Sequence, residues 1–109
     1  MAKAKYWQKG NNIDYVNETD AVVEANTIIV IGSRVGIAGM DIGVGETGIL
    51  VMEGVFKMPK GNAEIAIGDN VYFNAESGVV TKTDTDTPLG YAVGTAAAAA
   101  AEVLVKLAG

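Results

Sequence analysis

The sequence predicts an all-β fold: a small β-barrel or sandwich of short antiparallel strands, with an extended N-terminal arm and a short Ala-rich helical turn. Three observations carry this. Half of the 109 residues are hydrophobic but only 6% are aromatic, so the apolar mass is Ala, Val and Ile. Fourteen glycines punctuate the chain, a mix that suits β-branched strands joined by tight turns. Turn signals recur roughly every 8–12 residues, the spacing of sandwiches and barrels.

The elements follow in order. Residues 1–12 read as an arm, because they lack periodicity and end on the turn signal Gly10-Asn11-Asn12. Residues 13–109 read as one β-domain, near the common domain size. Ile13–Val16 alternates, and Ala21–Glu24 and Thr27–Ile31 are β-branched. Gly32-Ser33 is a tight turn into a strand over Arg34–Ala38. A glycine-rich loop, Gly43 to Gly48, leads into strands over Ile49–Glu53 and Val55–Met58, with Gly54 as a bulge between them. Val71–Asn74 and Val79–Lys82 form a hairpin around Ala75-Glu76-Ser77-Gly78. After the polar loop Thr83–Pro88, strands are expected over Leu89–Val93 and Glu102–Leu107. The run Ala96–Ala101 is the exception. Alanine is the best helix former, yet so short a run makes no independent helix. It reads as one or two helical turns, or as a close-packed crossover where only methyl groups fit. No long internal repeat is visible in the letters.

Composition narrows the chemistry. The chain has no cysteine and no histidine. Disulfides, thiolate nucleophiles and thiolate metal sites are therefore out, and no Ser-His-Asp or Cys-His triad can be built. The net charge of −5 argues against nucleic acid as a partner, since phosphate binding needs clustered Lys and Arg. The charge is uneven: Lys3, Lys5 and Lys9 lie in the first ten residues with no acid, leaving a body of net −8. No apolar run approaches the roughly 20 residues of a membrane span, and no secretory signal pattern opens the chain. The expectation is no enzymatic activity, no cofactor, no metal and no membrane, with the cytoplasm of the producing cell as the compartment of synthesis.

Several local patterns invite a functional reading. Gly43-Val44-Gly45-Glu46-Thr47-Gly48 spells G-x-G-x-x-G, with Asp69 beyond it. The apolar, β-branched run that follows predicts a strand, whereas a pyrophosphate site needs a helix N-terminus there. Glu53 to Met58 is similar to the lysine hairpin of biotinyl and lipoyl carrier domains, but Lys57 falls inside an alternating strand and not at a turn tip. Asp84 and Asp86 offer oxygen ligands without the glycine or bidentate Glu of a calcium loop. Asn17-Glu18-Thr19 spells a glycosylation sequon. Tyr6 and Trp7, set among three lysines, are the candidates for contact: they either cap the body or dock on a partner, where Trp and Tyr are typical anchors.

From about residue 45 onward the sequence resembles the phage head decoration, or capsid cement, proteins. The resemblance rests on Gly45-Glu46-Thr47, Val51 through Val55-Phe56, Pro59-Lys60 and Ile67 through Asn74, then Gly78 through Thr81, Leu89 through Val93, the Ala-rich stretch and the closing Val103 through Leu107. It implies a small β-barrel-like fold assembled as a homotrimer. It also implies a place on the outer face of an icosahedral head, near local threefold positions, clamping neighbouring major capsid proteins. No catalytic residue is carried over; Gly54, Gly68, Asp69 and Gly90 match as structural positions. Candidate capsid-binding residues are Lys3, Lys5, Tyr6, Trp7 and Lys9. Two other classes remain open at this point: a small carrier or ligand-binding β-domain, and another virion part such as a tail or spike trimer.

Overall fold

A computed structural model describes residues 1–108. The first sheet contains β1 (Asn12–Val16), β2 (Ile28–Ile31), β3 (Arg34–Ala38) and β4 (Thr47–Val51), in the order β1-β4-β3-β2. The second contains β5 (Glu53–Pro59), β6 (Asn70–Asn74), β7 (Val79–Thr81), β8 (Thr87–Ala92) and β9 (Glu102–Ala108), in the order β5-β9-β8-β6-β7. All strand pairings are antiparallel. No helix is found among the described residues.

The two sheets are copies of one plan. Each begins with an edge strand, passes through a tight turn into a hairpin, takes a second tight turn and returns beside its first strand. Thus β1, β2, β3 and β4 correspond to β5, β6, β8 and β9, and the sheet orders agree once β7 is set aside. The correspondence extends to single bonds. Val23 and Ile42 exchange both backbone hydrogen bonds, at 2.9 and 2.8 Å, as Ile65 and Ala96 do at 2.9 and 2.7 Å. The Asn26 and Gly68 amides donate to the Ala38 and Ala92 carbonyls. The pair Ile28 opposite Ile37 recurs as Asn70 opposite Tyr91. The four turns all close with an N–H three residues on: Thr27 to Glu24, Glu46 to Gly43, Asp69 to Ala66 and Ala100 to Ala97. In the first three the third residue takes positive φ, as Asn26 (71°), Gly45 (76°) and Gly68 (89°), which a type II turn requires.

This plan accounts for the departures from the sequence reading. The Ala-rich helical turn is absent: Ala96 is bridged to Ile65, Ala97–Ala100 is the fourth tight turn, and the Ala101 carbonyl accepts from the Lys60 amide. The run is thus a close-packed crossover, with Ala96 buried among larger side chains. The strand expected over Ala21–Glu24 shrinks to the single bridge at Val23. Gly54 is no bulge, for β5 pairs with β9 without a break from Glu53 to Pro59. The irregularity lies at Val71/Tyr72, opposite Pro88, where a proline is tolerated in a sheet.

Strand alternation gives each sheet two faces. The inner face carries the tight turns. In the first sheet Leu50, Ala38, Val23, Ile42 and Met52 form a small inner core, with Ile13, Tyr15, Ile29 and Ile31 half-buried around it. The outer face of the same sheet, through Val35 and Ile37 with Ile28, Val30 and Val51, packs on the inner face of the second sheet. There Met58, Ile65, Val71, Val105 and Leu107 are almost fully buried and form the main core.

Candidate functional site

The two buried polar side chains stand at corresponding places. Asn17 follows β1, and Lys60 follows β5. Asn17 Nδ2 donates to the carbonyls of Ala21 (2.8 Å) and Ile42 (2.9 Å), and its Oδ1 accepts from the Thr19 amide and hydroxyl. Lys60 Nζ donates to the carbonyls of Gly61 (2.8 Å) and Ala98 (3.1 Å). Both tie a strand end to a tight turn. The sequon letters at Asn17 therefore spell a buried Asx turn, with the amide nitrogen already bound on both sides.

The remaining sequence candidates resolve in the same structural sense. The G-x-G-x-x-G letters form a tight turn that runs directly into β4, with no helix N-terminus for a phosphate. Lys57 lies inside β5 opposite Leu104, away from any turn tip. Asp86 accepts from the Thr81 hydroxyl at 2.6 Å and from the Asn74 amide at 3.3 Å. No three His, Cys, Asp or Glu side chains among the described residues are grouped to hold a metal ion. Asp69 accepts from the Ala66 amide at 2.9 Å and pairs with Lys82 at 3.0 Å. The amide first, and the ammonium second, hold its carboxyl below the ordinary 3.8.

What stands out is surface. The arm bearing Lys3, Lys5, Tyr6, Trp7 and Lys9 forms no strand, and Tyr6 and Trp7 are 82% and 87% exposed. The structure does not gather these five residues into a site, and neither aromatic caps the core of its own chain. A second surface is the outer face of the second sheet. Val55, Leu104 and Tyr91 lie there exposed beside Lys57 and Lys106, with the Lys106 ammonium 5.8 Å from the Tyr91 ring centre. A third is an open groove of about 670 Å³ along the edge strand β2, lined by Ile28, Val30, Pro59, Phe73 and Ala75. The sequence reading missed the last two. One signal was available: Val103-Leu104-Val105 has no polar alternation, which places apolar side chains on both faces of its strand.

Such a molecule is an all-β protein, distinguished by partly open apolar sheet faces and a basic arm. The profile of the phage cement protein family matches residues 7–107, nearly the whole chain, including the whole first sheet and the arm from Trp7. The chain belongs to the phage cement protein family. Its role is accordingly that of a structural protein of the phage capsid. No curated protein and no solved structure matches the chain. Among the described residues no helix is long and apolar enough to cross a membrane.

Proposed function

We propose that this protein is a homotrimeric decoration protein. It binds the outer face of an icosahedral head and clamps neighbouring major capsid proteins, having been made in the host cytoplasm. The observation that carries this reading is the family match across residues 7–107. Composition agrees with it. A chain without His or Cys works through surfaces, and freedom from thiols suits a particle exposed to oxidants. Trivalency suits a lattice, because the second and third contacts form at high effective concentration.

Within this reading the arm is the capsid-binding segment. Lys3, Lys5 and Lys9 seek acidic surface, and Tyr6 and Trp7 anchor the contact. Fixing the arm costs roughly 1–2 kcal/mol per residue of backbone, so the aromatics and any strand-like hydrogen bonds to the partner must exceed that. The test is deletion of residues 1–9, followed by trimer melting and by cryo-electron microscopy of decorated heads. Unchanged melting with reduced head occupancy is expected. Collapsed melting with full occupancy by the surviving trimers makes the arm part of the fold and overturns the docking role.

A further inference from the structure

We propose that the trimer closes by repeating, between copies, the contact that the chain already makes between its own two sheets. The outer face of the second sheet covers the inner face of the first sheet in the next copy. The proposal rests on the trimeric reading above and names the interface that such a trimer uses.

The argument starts from the duplication. Inside the chain, the outer face of the first sheet covers the inner face of the second. Corresponding faces elsewhere are less completely covered. On the inner faces, Tyr15, Ile29 and Ile31 occupy the places of Met58, Val71 and Phe73. The second-sheet residues are 1%, 1% and 6% exposed, whereas their three counterparts are only half-buried. On the outer faces, Ile37 lies buried at 3% exposure, while Tyr91 in the same place is 40% exposed. Leu104 (42%) and Val55 (55%) extend that open apolar patch. Each chain therefore carries one completed contact and two unmatched halves of the same contact.

The chemistry of the unmatched halves suits an interface more than a core. The open outer face mixes apolar groups with tyrosines, Asn70, the cations Lys57 and Lys106 and the carboxylates Glu53 and Glu102, an apolar and polar mixture found where subunits meet. A face meeting a different face is a heterologous contact, which closes into a ring or runs on as a fibre. Three chains with two corresponding halves each place six similar sheets around one closed ring.

The experiment breaks one face at a time. One variant carries Tyr91→Glu and Leu104→Glu; the other carries Ile31→Lys, with Tyr15→Lys as a second inner-face variant should the first lose its far-ultraviolet circular dichroism. Wild type is expected to sediment as a trimer and each variant as a folded monomer. Mixing an outer-face variant with an inner-face variant leaves one intact contact per pair, so a one-to-one heterodimer is expected and no trimer. A folded outer-face variant that remains trimeric overturns the proposal while leaving the trimeric reading standing. So does a mixture that stays monomeric, since a head-to-tail contact must be restored by mixing. A monomeric wild type at every concentration overturns the trimeric reading itself, and the interface with it.

Discussion

Asn17 and Lys60 show how one structural task is met by two different residues. Each reaches from the end of an edge strand to a carbonyl in or beside a tight turn, Ile42 for Asn17 and Ala98 for Lys60, and each is buried. Replacing Asn17 by Ala would leave the Thr19 amide without a partner and the Ile42 carbonyl with only its bond from the Val23 amide. Stability should fall by about 1–3 kcal/mol, because the side-chain hydrogen bonds of Asn17 are lost and the Thr19 amide is left unpaired. Urea denaturation checks this, and a loss below about 0.5 kcal/mol would contradict the Asx-turn role. Asp69 gives a pH-dependent counterpart. Its folded carboxyl titrates below the ordinary 3.8, chiefly through the Ala66 amide and then through Lys82. Its stabilisation is therefore present above that pH and fades as pH falls through the depressed folded value. Melting curves of wild type and Asp69→Asn should differ at pH 6 and approach each other near pH 2–3. In the arm, Trp7→Ala should lower head occupancy without moving the melting temperature. Lys3→Ala should matter mainly at low salt, since exposed charges are screened.

At the scale of elements, the tight turn is the repeated unit. Gly45 and Gly68 hold positive φ in open space, where a side-chain carbon would meet no atom within 4 Å. Gly45→Ala and Gly68→Ala should each cost about 1–2 kcal/mol from backbone conformation alone. Asn26→Gly, at the corresponding place, should change stability by no more than a few tenths of a kcal/mol, because the gain in φ offsets the added freedom of the unfolded chain. Thermal melting of the three variants tests this ordering. Most strands were legible in the sequence for a plain reason. Ile13–Val16, Arg34–Ala38, Val71–Asn74 and Glu102–Leu107 are β-branched or aromatic runs bounded by turn residues, and each lies within one or two residues of an observed strand. The alanine run misled because propensity is local. Its conformation is set by Ile65 pairing with Ala96 and by Lys60 reaching the Ala98 and Ala101 carbonyls, contacts made far along the chain.

At the scale of the whole molecule, the duplication was invisible in the letters because it lives in hydrogen bonds. Asp41-Ile42-Gly43-Val44-Gly45-Glu46 and Thr95-Ala96-Ala97-Ala98-Ala99-Ala100 share no residue type at any matching position, yet each makes a bridge and then closes a four-residue turn with the same hydrogen bond. A backbone pattern tolerates any side chain of suitable volume where its φ is ordinary, so letters diverge while geometry stays. The candidate surfaces were legible only in part for the same reason. The arm is read from charge and aromatics along the chain. The two open faces exist only once strand order decides which apolar residues find cover.

The duplicated plan also bears on how the molecule assembles itself in time. Each sheet is completed within its own contiguous stretch, β1 through β4 and then β5 through β9, with no strand exchanged between them. Closing each sheet thus requires only moderate loops, which favours quick formation. The two stretches are unequal in what they enclose. The first surrounds a small inner core of five buried residues, whereas the second is backed by the main core. Amide exchange in the isolated protein should therefore separate into two cooperative classes. Amides of β1 and β2 should exchange through an early opening, and those of β6, β8 and β9 only through global unfolding. Occupying the open face of the first sheet should merge the two classes into one.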